Sequence, residues 1–213
     1  MKILNLYACL GGNRYKWDEV ADVEVTAVEL DTEAARLYKK RFPNDNVIVA
    51  DAHQYLLDHY KEFDFIWSSP PCPTHSRINT SMKTTRKMVY PDLKLYQEII
   101  FLDNFFKGKY CVENVISFYE PLIQPQKKHR HFYWCNFNLP NILSKRIAPD
   151  MSRTKDTVTA LSKFHNYNFR LYKGKQTIIK IARNLVDYEA GKTILETALN
   201  IQKANNTKQL SIL

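Results

Sequence analysis

Through the first two-thirds of the chain, short apolar runs alternate with segments whose apolar residues recur at helical spacing. KILNLY reads as a first strand and the β-branched VEVTAVEL as a second. DTEAARLYKKRF follows with helical periodicity, Asp31 as N-cap and Pro43 just past its end. NVIVAD predicts a third strand, HQYLLDHYKE a short helix and FDFIW a fourth strand. PDLKLYQEIIFLDNFF predicts a long helix running from Pro91 toward Gly108. KYCVEN gives a fifth strand and RHFYWCNF a later one. Strands separated by short helices imply an α/β fold with a doubly wound, mostly parallel sheet.

In such a sheet, ligands bind beyond the carboxyl ends of the strands. Gly11-Gly12, Glu29, Asp51, Cys72 and Glu113 each stand just after one of the five predicted strands, so independent segments converge on one rim. Past Phe137 the periodicity fades. Residues 138–175 are basic, polar and aromatic, and are expected to form a small irregular lobe. Residues 176–203 look helical again, with Gly191 a soft spot, and would rejoin residues 1–137 as the main body. A frayed tail over 204–213 is expected.

With 213 residues and 45% hydrophobic content, the chain has enough apolar surface for one sizeable core. No apolar run approaches the roughly 18 residues of a membrane span. MKILNLYACLGG runs into a Gly-Gly turn and reads as a strand rather than a signal peptide. Cys9, Cys72, Cys111 and Cys135 are scattered without metal-ligand spacing, so no metal or disulfide framework is expected and a cytoplasmic setting fits. The net charge of +9 is unevenly spread. Residues 1–68 are acidic overall, while residues 122–183 carry only Asp150 and Asp156 against many Lys and Arg. That asymmetry favours a nucleic acid over a membrane surface.

Glu29 at a second strand end can accept from ribose hydroxyls, and Asp51 at the third from an adenine amino group. The alternative is that both merely cap the helices that follow, and their spacing of one strand-helix unit favours the ligand role. No Gly-Lys-Ser/Thr follows the Gly-Gly turn, so an adenosine cofactor without a pyrophosphate fits better than a nucleoside triphosphate. Cys9, Cys111 and Cys135 sit in or beside apolar strands and read as small core residues. Cys72 differs: Pro70 and Pro71 take its backbone off the sheet ladder, and the acid-free loop beyond it holds His75, Arg77, Lys83, Arg86 and Lys87. A positive field of that kind is expected to lower the thiol pKa.

These segments, in this order, resemble the DNA cytosine-5 methyltransferase family, in its compact phage and bacterial form. LYACLGG matches the family's cofactor loop, Pro-Pro-Cys its catalytic motif and Glu-Asn-Val at 113–115 its second catalytic motif. KKHRHFYW is similar to the strand that supports the site, and ARNLVDYEAGKTILETA to the last motif. The resemblance implies S-adenosylmethionine as methyl donor, double-stranded DNA as partner and a monomeric enzyme. Tyr7 would pack on the adenine, Gly11 and Gly12 would let the methionine part approach, and Glu29 and Asp51 would bind ribose and adenine. Cys9, Ala52, Pro70 and Asn184 would complete the cofactor site. Cys72 would be the nucleophile, Glu113 would hold the cytosine and His131 would brace it. His75, Arg77, Lys83, Arg86, Lys87, Arg130, Arg146, Arg153 and Arg170 would contact the nucleic acid.

Five positions depart from the family pattern: Asn5 stands for Asp, Cys9 for Gly, Arg183 for Gly, and His129 and His131 for the supporting arginines. The short lobe implies a target of about two to four base pairs, since few side chains can reach base edges. A tRNA cytosine methyltransferase on the same scaffold and an inactive nucleic-acid-binding relative are the alternatives. An amino-group methyltransferase would carry an aromatic where Cys72 stands.

Overall fold

The computed structural model describes residues 1–77, 89–149 and 156–201. A seven-stranded sheet organises them, in the order β3-β2-β1-β4-β5-β7-β6. The strands are β1 Lys2–Leu6, β2 Glu24–Val28, β3 Asn46–Ile48, β4 Phe65–Ser68, β5 Lys109–Val115, β6 Gln126–Lys128 and β7 His131–Cys135. The first five run parallel, and β7 is antiparallel to both β5 and β6. Ile3, Leu4 and Leu6 of β1 and Phe65, Ile66 and Trp67 of β4 are all buried, as expected of strands covered on both faces.

The register sets the site. Leu6 pairs with Val28 on one side and Ser68 on the other, and Ser68 pairs with Val112. Tyr7, Glu29, Ser69 and Glu113 therefore stand level, each one residue beyond a paired position. The chain leaves β1 toward β2 on one side while β4 lies on the other. This reversal of strand order opens a crevice between the loops after β1 and β4.

The helices are α1 Thr32–Arg41, α2 Ala52–His59, α3 Lys94–Phe105, α4 Thr157–His165, α5 Ile178–Arg183 and α6 Tyr188–Ala198. Asp31 caps α1 by accepting from the Glu33 and Ala34 amides, and Asp51 caps α2 by accepting from Gln54. α3 starts at Lys94 rather than Pro91, after Asp92 accepts from the Lys94 amide. On one face of the sheet, Leu56 of α2 and Leu95, Ile99 and Leu102 of α3 pack on Leu4, Leu6 and Ile66. On the other, Trp17 joins Ile194 and Leu195 of α6 against Ile3 and Phe65. Each such aliphatic side chain contributes about 1.5–3 kcal/mol on burial.

The structure departs from the sequence reading in four places. RHFYWCNF does not begin a strand at Arg130: His129 takes a left-handed φ of 51° in a tight turn between β6 and β7. β6 itself is three polar residues and carries no hydrophobic signal. Residues 138–175 are not wholly irregular, because α4 lies there, and Leu161, Phe169 and Tyr172 share a core cluster with Leu10, Ala34 and Leu37. The helical stretch after residue 176 splits into α5 and α6. Gly191 within α6 is a contact point rather than a soft spot, since a Cβ there would lie 2.3 Å from the Asn13 carbonyl oxygen. Trp17 Nε1 donates to the Gly191 carbonyl at the same contact. Among the described residues no helix is long and apolar enough to cross a membrane.

Candidate active site

A cavity of about 650 Å³ opens where the strand-end loops diverge. Tyr7, Cys9, Glu29, Asp51, Ala52, Pro70, Cys72, Glu113, His131 and Asn184 all line it. Of the residues expected on one rim, Glu29, Asp51, Cys72 and Glu113 meet there, whereas Gly11-Gly12 do not.

Cys72 sits in a turn that it closes itself, its carbonyl accepting from the amides of His75 and Ser76. Asn114 Nδ2 donates to the Pro70 carbonyl at 3.0 Å, which ties the Pro-Pro turn to the strand carrying Glu113. A bridge between Ser76 and Ser117 and a bond from the Phe118 amide to the His75 carbonyl extend this clamp. Glu113 is buried, and its Oε1 lies 3.6 Å from His131 Nε2. His131 reaches Glu113 because β7 pairs antiparallel with β5, whereas His129 lies in the turn beyond. Of the two histidines at the family's arginine positions, only His131 faces the site.

The thiol does not show the expected depression. Burial pushes the Cys72 pKa up, the Glu113 carboxylate adds to the rise, and Lys180 across the cavity opposes it. The loop cations Lys83, Arg86 and Lys87 lie outside the described residues, as does Arg153. Lys180 was not foreseen: it sits in the helical stretch just before the last motif.

At the other end of the cavity, Glu29 accepts from the Cys9 amide through Oε2 and the Asp31 amide through Oε1, both at 2.8 Å. Burial raises its pKa, and these amide bonds oppose the rise. The second lone pair on each oxygen remains for hydroxyl donors. Cys9 takes a left-handed φ of 47°, and its thiol pKa is raised by burial and by Glu29. Asp51 is exposed and gives one oxygen to the α2 cap. Asp31 also accepts from Tyr172 Oη and Gln176 Nε2, which draws the end of the expected target-reading lobe, at Tyr172, onto the cofactor end.

Gly11 and Gly12 do not line the cavity. A Cβ on Gly11 would run into the Phe42 and Tyr38 rings, and one on Gly12 would lie 2.3 Å from the Val186 carbonyl oxygen. Gly11 also takes a φ of 68°. The pair lets the loop pack under α1 and against the link between α5 and α6, which corrects their expected role as a cofactor approach. Behind the loop, Asn13 Nδ2 donates to Asn5 Oδ1, so Asn5 accepts where the family's Asp would also accept.

Two expected nucleic-acid contacts are spent elsewhere. His75 is buried with Nδ1 at 2.6 Å from Tyr119 Oη, so it braces the Cys72 turn from inside. Arg146 lies between the rings of Phe164 and Tyr188, at 3.9 and 3.8 Å, and bonds Asp187. It pins the segment after β7 to α4 and α6. Arg130 is exposed in the β6–β7 turn, Arg77 is exposed beside Ser117, and Arg170 is exposed but paired with Asp156.

A buried hub escaped the sequence reading. Glu98 of α3 accepts from Tyr7 Oη and Ser68 Oγ, both at 2.6 Å, and faces His53 Nδ1 at 3.1 Å. A lone carboxylate on the apolar Leu95–Ile99–Leu102 face was its signal.

The cavity volume falls within the range of small-molecule sites. The donor set at its cofactor end, two carboxylates beyond adjacent strands and an aromatic ring, suits an adenosine group. The family model for C-5 cytosine-specific DNA methylases matches residues 1–121. A tRNA (cytosine(38)-C(5))-methyltransferase of Spodoptera frugiperda is 38% identical over 80 residues, which is 36% of this chain and 24% of that protein. The enzyme of the same description from Rattus norvegicus is 27% identical over 117 residues, 49% of this chain and 30% of that protein. The matched segments thus span a quarter to a third of these relatives' length. Among solved structures, a mutant DNMT2 of Spodoptera frugiperda is similar at 28% identity and a TM-score of 0.39, covering 54% of this chain and 35% of that one. With the family model spanning more than half of its length, this chain belongs to the C-5 cytosine-specific DNA methylases, which use S-adenosylmethionine as methyl donor.

Proposed function

We propose that the chain methylates carbon 5 of a cytosine in double-stranded DNA through a transient bond between the Cys72 sulfur and carbon 6 of the base. What supports this reading above all is that Cys72 and Glu113 line one cavity and are clamped together by the Asn114–Pro70 bond. S-adenosylmethionine, when bound, supplies an electrophilic methyl group. Tyr7, Glu29 and Asp51 would hold its adenosine part, with Ala52, Pro70 and Asn184 completing the wall.

Carbon 5 of cytosine is too poor a nucleophile to take a methyl group unaided. The Cys72 thiol loses its proton and the sulfur adds to carbon 6, which makes the ring an enamine with electron density on carbon 5. Glu113 hydrogen-bonds ring nitrogen 3 and the amino group, and His131 steadies the Glu113 carboxyl group. Once carbon 5 has gained the methyl group, its proton leaves, the carbon–sulfur bond breaks and the ring double bond returns. Burial and Glu113 both raise the resting thiol's pKa, so activation of the sulfur would fall to substrate docking. A duplex base must be flipped out to reach this depth. Arg77 and Arg130 are the exposed cations best placed to meet phosphates, with Lys83, Arg86, Lys87 and Arg153 as further candidates by sequence.

A tRNA cytosine is the second reading, favoured by the named activity of the Spodoptera and rat relatives. Their similarity covers 36% and 49% of this chain. Bisulfite sequencing of both genomic DNA and tRNA from cells expressing the chain separates the two. Protected cytosines in DNA at a recurring short sequence are expected. Protection confined to tRNA would establish the second reading, and protection in neither would count against both.

A further inference from the structure

Glu98 is 1% exposed, yet nothing in the cytosine chemistry uses it. Its three partners come from three strand-end segments: Tyr7 after β1, Ser68 at the end of β4 and His53 in the first turn of α2. A carboxylate so deep in an apolar face requires such donors, and here it fixes the orientation of two rings that line the cavity, Tyr7 and His53. His53 stands two residues past Asp51, at the end where the adenine of an adenosine bound by Glu29 would lie. With Nδ1 held by Glu98, the imidazole keeps its Nδ1 proton, and Nε2 carries a lone pair. Among the described residues Nε2 has no hydrogen-bond partner.

We propose that His53 reads the purine edge of the cofactor, its Nε2 accepting from the adenine 6-amino group while Glu98 positions the ring. The proposal rests on the adenosine site described above. Asp51, the sequence-based candidate for this contact, is exposed and engaged in capping α2, whereas His53 is set in the wall.

The arrangement makes cofactor affinity depend on pH. The groups facing His53 are Glu98 and Lys94 of α3, Asp51 before α2 and, through the shared carboxylate, Tyr7. The Glu98 hydrogen bond raises the His53 pKa, with burial and Lys94 working against it. Above that pKa, Nε2 accepts from the amino group. Below it, Nε2 carries a proton and meets the amino group donor to donor. Affinity is therefore high at alkaline pH and falls as pH drops through the raised His53 value.

The test is calorimetric titration of the full chain with S-adenosylhomocysteine between about pH 5.5 and 8.5, beside ¹³C-histidine NMR titration of the cofactor-free protein. The wild type should lose about tenfold in affinity across that range, with a midpoint at the His53 pKa read by NMR. His53→Gln keeps an acceptor but has no titrating ring, so its affinity, whatever its level, should no longer change with pH. Glu98→Gln should move the His53 midpoint to lower pH in both measurements. A flat wild-type profile, or a His53→Gln profile that matches wild type, overturns the proposal and leaves the cytosine chemistry untouched. Absence of binding at every pH would overturn the cofactor assignment together with it.

Discussion

The side-chain amide of Asn114 donates to the carbonyl of Pro70 at 3.0 Å, and this one bond joins the turn that holds Cys72 to the strand that holds Glu113. Both groups are buried. Replacing Asn114 by Ala leaves the Pro70 carbonyl unpaired and frees the turn. The expected cost is about 1–3 kcal/mol in urea denaturation. Cytosine methylation should lose far more, roughly a hundredfold in kcat, since small misplacement of reacting groups is costly. A variant that loses stability without losing kcat would deny the clamp its role.

Cys72 reactivity should rise, not fall, when its acidic neighbour is neutralised. Glu113 adds to the rise in the thiol pKa caused by burial. Glu113→Gln removes that contribution, the thiolate fraction at pH 8 increases, and iodoacetamide should label Cys72 a few times faster. Lys180→Gln should act in the opposite sense. Peptide mass spectrometry reports the Cys72 rate separately from the other cysteines. Methylation by the Glu113 variant should nevertheless collapse, so the two readouts diverge.

Gly12→Ala and Gly191→Ala each place a Cβ 2.3 Å from a backbone carbonyl oxygen, of Val186 and Asn13 respectively. Neither oxygen can rotate away as a side chain would. Each substitution should destabilise the fold by about 1–3 kcal/mol. Gly12→Ala should also weaken S-adenosylhomocysteine binding, because Val186 lies in the link that lines the cavity. Equal midpoints for wild type and both variants in thermal melts would contradict the packing described here.

Arg146 and Arg130 should behave differently toward nucleic acid. Arg146 is held between Phe164 and Tyr188 and bonded to Asp187, so Arg146→Ala should lower stability by about 1–3 kcal/mol and leave the salt dependence of binding unchanged. Arg130 is exposed, and Arg130→Ala should reduce the slope of log K against log salt by about one without affecting stability. Fluorescence anisotropy with a labelled duplex over a salt series measures both.

Much of this site was legible in the sequence because the parallel strands announce themselves as apolar runs and the register carries the next residue to a common rim. Glu29, Asp51 and Glu113 follow from that reading, Cys72 from the Pro-Pro pair just beyond its strand, and Tyr7 from the family resemblance. Whatever depended on a turn or on a partner from afar did not. The His129 turn has no Gly or Asn to mark it, so β6 went unread and the next strand was begun at Arg130. Gly11 and Gly12 were read for a ligand, while their neighbours are Phe42 and Val186, far away in sequence. Arg146 looked like a phosphate contact because the rings that enclose it come from α4 and α6. Glu98 alone left a usable trace, a charge on the buried face of a helix.

The central claim is that the Cys72 sulfur bonds to the target base. A duplex carrying 5-fluorocytosine, incubated with the protein and S-adenosylmethionine, tests it most directly, because fluorine on carbon 5 blocks the last step and preserves the adduct. A complex stable to denaturing electrophoresis is predicted, with the modified peptide containing Cys72, and Cys72→Ala should give none. A 5-fluorocytosine RNA run in parallel reports which nucleic acid the site accepts. An adduct mapped to another cysteine, or one that persists in Cys72→Ala, would contradict the account.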